Sequence, residues 1–180
     1  KETAKVYSNF NREVAQSVAE KGTEVYTALE CYNSGTTGET GVNRIYTLSS
    51  NVSLQILYHE YYETKAHSEN DYSVCCMINQ QNTNYYLFTG DLEEDGEASL
   101  IERYKQDYGV SEQKVQMYKA GHHGSKTSSS KELLEFFKPE VVCVCCCAGS
   151  SEYTSKPENQ FPTQEFINRV AEFAETDKVY

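Results

Sequence analysis

No stretch of this 180-residue chain approaches the roughly 20 consecutive apolar residues that a membrane-spanning helix needs. The longest apolar run, Val141 to Ala148, has the length of a strand. A secretory start is also missing from the first residues: Lys1 opens a polar, mixed-charge segment with no apolar h-region. There is no initiating Met either, which leaves a processed or truncated start open. Internal repeats and low-complexity linkers are absent, so residues 1–180 read as one unit, long enough for one core and too short for two. Positive charge is scarce. Sixteen Lys and Arg face 27 Asp and Glu, a formal net charge of −11. That balance excludes a protein that holds nucleic acid by its overall field. It does not exclude a phosphate-bearing substrate, because bound metal ions and a few local lysines reverse the sign at one site.

Seven cysteines are present, at Cys31, Cys75, Cys76, Cys143, Cys145, Cys146 and Cys147. An odd number with adjacent placement is no disulfide framework. Cys143 and Cys146 form a C-x-x-C inside an apolar, β-like run. Residues three apart in a strand point to opposite faces, so they do not share a tetrahedral zinc. The expectation is small, buried, reduced thiols, which points to a reducing compartment.

Hydrophobic periodicity predicts a first helix carrying Phe10, Val14, Val18 and Ala19, with Gly22 just beyond its end. Strands are predicted over Glu24–Leu29, Arg44–Leu48 and Val52–His59, with a Gly/Thr turn region between the first two. A polar loop follows, then a hairpin built from Tyr72–Asn79 and Tyr85–Thr89. A helix is expected from about Glu97 to Tyr104, and a short strand from Val115 to Tyr118. Ser129 and Glu132 form a capping-box signature for a helix with Leu133, Leu134, Phe136 and Phe137. Val141–Cys147 reads as a strand covered on both faces. A last helix starts at Pro162-Thr163, and Lys178-Val179-Tyr180 opens another strand. A β-rich front half and an alternating back half predict an α/β layered domain of stacked sheets with outer helices.

Two segments carry chemistry. Phe88-Thr89-Gly90-Asp91 delivers a carboxylate at a strand end. Lys119-Ala120-Gly121-His122-His123-Gly124-Ser125-Lys126 opens from a strand into a glycine-flanked histidine pair. Glycines let the backbone turn tightly and approach a ligand. Imidazole and carboxylate at neighbouring strand ends are the donor types that zinc takes.

The order of these segments resembles the ComEC-type branch of the metallo-β-lactamase-fold hydrolases. The likeness extends upstream to Asn70-Asp71-Tyr72-Ser73-Val74 and downstream to Pro139-Glu140-Val141-Val142 and Asn159-Gln160-Phe161-Pro162, covering roughly Lys21 to Tyr180. It implies an αββα sandwich, here truncated on its N-terminal side and at the C-terminus. It also implies two divalent metal ions, zinc or manganese. Asp91 would bridge them, His123 would complete one shell, and His122 would serve as a neighbouring or substrate-contacting group. Ser125, Lys126 and Lys119 would contact an anionic substrate. In relatives a His often precedes the last Pro; here it is Phe161.

One departure is large. The His-x-(His/Asp)-x-Asp-His segment that supplies most metal ligands in that family occurs nowhere in the chain. His59 and His67 lack the i, i+2 partner that would replace it. The expectation is therefore a partial domain, inactive alone, of a phosphodiesterase- or nuclease-type hydrolase related to DNA uptake. A phosphorylcholine-esterase-like enzyme and a non-catalytic scaffold or binding domain are the alternatives. ComEC-type relatives work beside a membrane, so the family comparison points to its outer face while the thiols point to the cytoplasm.

Overall fold

A computed structural model describes residues 2–151, 154–173 and 178–179. Helix α1 (Glu2–Lys21) ends at Gly22, whose φ of +63° is the left-handed conformation expected of a residue closing a helix. Its apolar stripe is not buried: Val18 is 42% exposed, and the side chain of Phe10 lies outside the described residues. The strand expected over Glu24–Leu29 does not form. Thr27 instead caps a helix, α2 (Ala28–Ser34), accepting from the Glu30 N–H at 3.2 Å while the Glu30 carboxylate takes the Thr27 N–H at 2.7 Å. This reciprocal pair satisfies two amides at once, which outweighs the β preference of Val25-Tyr26-Thr27.

Among the described residues eight strands form one mixed sheet in chain order. They are β1 (Thr37–Gly38), β2 (Ile45–Ser49), β3 (Val52–Ile56), β4 (Cys76–Gln80), β5 (Asn84–Phe88), β6 (Met117–Lys119), β7 (Val141–Cys143) and β8 (Lys178–Val179). Strands β2 to β5 form an antiparallel meander. From β5 to β8 the pairing is parallel, and helices α3 (Glu94–Tyr108), α4 (Lys131–Phe137) and α5 (Gln164–Ala171) make the crossovers. The protein is thus α/β. Two stacked sheets were expected; the described residues form one. Tyr180 lies outside them.

The register aligns Met77, Leu87, Tyr118 and Val142 as direct neighbours across four strands, each at most 1% exposed. Leu100, Ile101 and Tyr104 of α3 and Leu133, Leu134 and Phe137 of α4 belong to the same core. Burying each large side chain contributes about 1.5–3 kcal/mol. Helix α4 is capped by Ser130, not Ser129: the Ser130 hydroxyl accepts from the Leu133 N–H at 3.2 Å. Ser129 has φ +58°, which removes it from the capping geometry. Strand β7 is shorter than expected, because the chain leaves the sheet after Cys143. Cys145 and Cys147 are consequently exposed, and Cys143, Cys146 and Cys76 half-buried, so buried thiols hold only for Cys31 and Cys75.

Candidate active site at the strand ends

Parallel strands lead their carboxyl ends to one edge of the sheet, and the loops there are where open α/β sheets place ligands. Strand β5 delivers Gly90-Asp91, β6 delivers Gly121–Gly124, and β7 delivers Cys145. The first two loops are joined by the His122 N–H donating to the Gly90 carbonyl at 3.0 Å.

Gly90 has φ +61°, and a Cβ there would lie 2.8 Å from the Ser73 side chain, so the approach requires glycine. Ser73 uses that closeness: its hydroxyl accepts the Asp91 N–H at 2.8 Å. In the histidine loop Gly124, at φ +79°, takes the tight turn expected of a glycine. The histidines themselves take the left-handed conformation, His122 at φ 44° and His123 at φ 55°. Such backbone in non-glycine residues costs energy and clusters at functional sites. Gly121 and Gly124 are also needed for packing. A Cβ on Gly121 would sit 3.0 Å from the Tyr118 hydroxyl, and one on Gly124 would sit 2.7 Å from Pro162. Arg169 supports the loop from below, donating to the carbonyls of Lys126, Ser128 and Ser129 at 2.8–3.0 Å.

The two histidines face different partners. His123 Nδ1 lies 2.6 Å from the Cys145 carbonyl. A carbonyl only accepts, so Nδ1 carries the proton and, in the neutral ring, Nε2 carries the lone pair. Nε2 is 3.9 Å from Asp91 Oδ1. His122 Nδ1 lies 3.6 Å from Glu93 Oε1 and 3.5 Å from the Asn70 amide nitrogen. Glu93 is itself held: its Oε1 accepts from the Asn70 amide at 3.2 Å and the Thr127 hydroxyl at 2.9 Å. Its N–H donates to Asp71 Oδ1 at 3.0 Å. Asp71 is 4% exposed, and burial pushes its carboxyl above the usual range. Phe161 lies near both imidazoles, with ring centres 5.4 Å from His122 and 6.0 Å from His123.

Ser125 and Lys126 line one cleft of about 370 Å³, together with Thr154, Asn159, Phe161 and Thr163. Lys126 donates to Asn159 at 3.2 Å there. Lys119 is not brought to that cleft; its ammonium donates to the carbonyl of Ala120. Glu93 was missed by the sequence reading, although its i, i+2 spacing from Asp91 was visible. His59 is fully buried and donates from Nε2 to the Ser73 carbonyl at 2.8 Å.

Do these donors suit a divalent metal? Two bonds of about 2.0–2.1 Å at a tetrahedral angle separate their donor atoms by roughly 3.4 Å. The 3.9 Å between Asp91 and His123 is a few tenths wider, and the carbonyl on Nδ1 is the support that metal-bound histidines receive. Both donor types fit, but they fill two positions of a shell. Among the described residues no group of three or more His, Cys, Asp or Glu is placed to hold a metal ion. No family model matches the chain, and no curated protein matches it.

Proposed function

We propose that the chain carries one half of the dinuclear metal site of a metallo-β-lactamase-type phosphodiesterase in the ComEC-like branch. The single sheet would then be one layer of the αββα sandwich. The observation that carries this reading is the placement of His123 Nε2 opposite Asp91 Oδ1, with Nδ1 anchored on a backbone carbonyl.

In this reading Asp91 and His123 hold zinc or manganese, and the remaining donors come from outside the described residues. Bound metal ions supply a hydroxide at neutral pH and neutralise charge on phosphoryl oxygens. The chain's own residues orient and bind. Ser73 fixes the backbone of Asp91, and the Cys145 carbonyl fixes the ring of His123. Lys126 offers a cation to a phosphodiester lying in the cleft beside Phe161, on a protein otherwise acidic enough to repel one. A nucleic-acid strand is the substrate class we favour; a choline-phosphate diester has the same reacting group.

The test is hydrolysis of bis(p-nitrophenyl) phosphate and of DNA by the full-length protein with added zinc or manganese, alongside its metal content. About two bound ions per chain and loss of turnover in Asp91→Ala are expected. Undiminished turnover in that variant would sink the assignment. That only two donors meet among the described residues favours a second reading, a scaffold whose metal site has been lost. Full-length protein without stoichiometric metal would establish that one.

A further inference from the structure

The loops that carry Asp91 and His123 meet at a side chain that belongs to neither. Tyr118 lies in β6, paired with Leu87 of β5 on one side and Val142 of β7 on the other, and is 1% exposed. Its hydroxyl is 3.3 Å from the Thr89 hydroxyl, 3.0 Å from the Ser129 hydroxyl and 3.0 Å from the Gly121 nitrogen. Thr89 stands two residues before Asp91, Gly121 two residues before His123, and Ser129 just before the cap of α4. Three segments converge on one oxygen.

A hydroxyl has one proton and two lone pairs. One lone pair takes the Gly121 N–H. The proton and the other lone pair serve Thr89 and Ser129, so the three partners use its full capacity. Thr89 and Ser129 are themselves closed to solvent, and no bulk water competes for these bonds. Ser129 is held in turn by its N–H, which donates to the buried Glu97 carboxylate at 2.6 Å. Burial pushes the phenol above its ordinary 10, so it keeps the proton that the cluster uses. There is no room for an added atom. A Cβ on Gly121 would lie 3.0 Å from the Tyr118 hydroxyl, 3.1 Å from the Ser128 Cβ and 3.3 Å from the Thr89 hydroxyl.

We propose that Tyr118 is a positioning residue of the candidate metal site, its hydroxyl setting the separation of Asp91 from His123 by tying Thr89 to Gly121. The role rests on the reading of Asp91 and His123 as metal donors. The two loops are also joined by the His122 N–H on the Gly90 carbonyl. One bond between two loops is a pivot; a second, through the phenol, removes the rotation. Metal–ligand distances tolerate only about 0.2 Å of error, so that rotation decides whether both donors reach one ion.

Tyr118→Phe keeps the ring and deletes the hydroxyl. In the full-length protein it should weaken cobalt(II) binding about tenfold to a hundredfold, the loss typical of groups that orient metal ligands, and alter the visible absorption. Thr89→Val should also weaken it. The double variant should be no weaker than Tyr118→Phe alone, because both changes break one contact. Ile101→Val loosens the same core away from the hydroxyl and should leave the affinity unchanged. A metal-free crystal structure of Tyr118→Phe reads the spacing directly. The gap between Asp91 Oδ1 and His123 Nε2, 3.9 Å in the wild-type chain, should change by about 0.5 Å or more, the tolerance of a preorganised site. If Tyr118→Phe does not fold, Thr89→Val carries the same two measurements. An unchanged gap would overturn the proposal. So would wild-type cobalt affinity in the folded variant, or an equal loss in Ile101→Val. If the wild-type protein takes up no cobalt, the metal reading fails, and the gap alone decides whether Tyr118 sets the spacing.

Discussion

The Ser73 hydroxyl accepts the Asp91 N–H at 2.8 Å, and the Ser73 carbonyl accepts from His59 Nε2 at the same distance. A histidine without access to solvent thus holds the residue that holds the candidate metal ligand. His59→Leu leaves the Ser73 carbonyl without that donor, which costs about 1–3 kcal/mol in a denaturant titration. Burial lowers the pKa of His59 from its ordinary 6.5, with the bond to Ser73 opposing. The folded protein therefore binds the proton less readily than the unfolded chain. The stability His59 contributes is complete above the ordinary value and lost as pH falls below it toward the depressed one. His59→Leu should flatten that part of the profile; an unchanged slope would refute the role.

Glu97 gives the opposite sign. It lies fully buried in α3 and accepts the N–H groups of Ser129 and Ser130 at 2.6 and 2.7 Å, tying the segment after the histidine loop to the core. Burial pushes its carboxyl up to about 7 from 4.5, against the pull of those bonds and of Arg169. The folded state keeps a proton that the unfolded state has lost. Stability from this group is fully present below 4.5 and falls as pH rises through about 7, by at most about 3 kcal/mol. Glu97→Gln cannot ionise. The stability of wild type minus that of the variant should shrink across this window, and a difference constant with pH would disprove the shift.

How much of this was legible beforehand depends on what fixes each element. The meander and the α3 and α4 helices follow from patterns local to the chain: alternation in Val52–Leu57 and one-face spacing of Leu100, Ile101 and Tyr104. Asp91 and His123 were legible because each follows a strand end with glycine beside it. What failed depended on competition between local preferences or on distant partners. Val25 and Tyr26 look β-forming, yet one reciprocal cap at Thr27 and Glu30 starts a helix. The apolar run through Cys147 looks like buried strand, yet the strap after Cys143 is claimed by His123 and Phe161. Glu93 became a partner of His122 only because the fold sets Asn70 and Thr127 around it.

Asp107 ties the front of the chain to α3. Its carboxylate accepts from the Tyr32 hydroxyl at 2.7 Å, Arg44 at 2.8 Å and Arg103 at 2.9 Å, and the Arg44 guanidinium lies 4.3 Å over the Tyr32 ring. The Arg44 side chain is 20% exposed, so its charge has little water to fall back on. Asp107→Ala strands that charge and should cost about 3 kcal/mol, the low end for breaking a buried pair because Arg103 is more open to solvent. Adding Arg44→Met should recover part of the loss. A double variant no more stable than Asp107→Ala alone would show that the penalty is not electrostatic.

The two histidines of one loop should separate by experiment, because their surroundings differ in kind. His123 carries its proton on the nitrogen that meets a neutral carbonyl, and its other nitrogen is set toward Asp91. His122 instead stands beside the Glu93 carboxylate and the Asn70 amide. A ligand and a neighbour respond differently to removal. Cobalt(II) titration of the full-length protein should lose its visible absorption in His123→Ala as in Asp91→Ala. His122→Ala should keep the ion with an affinity within about tenfold to a hundredfold of wild type, the range typical of a supporting residue, while turnover falls. The reverse pattern, with cobalt lost only on removing His122, would exchange the two roles. It would also leave the short contact between His123 and the Cys145 carbonyl as a purely structural clasp.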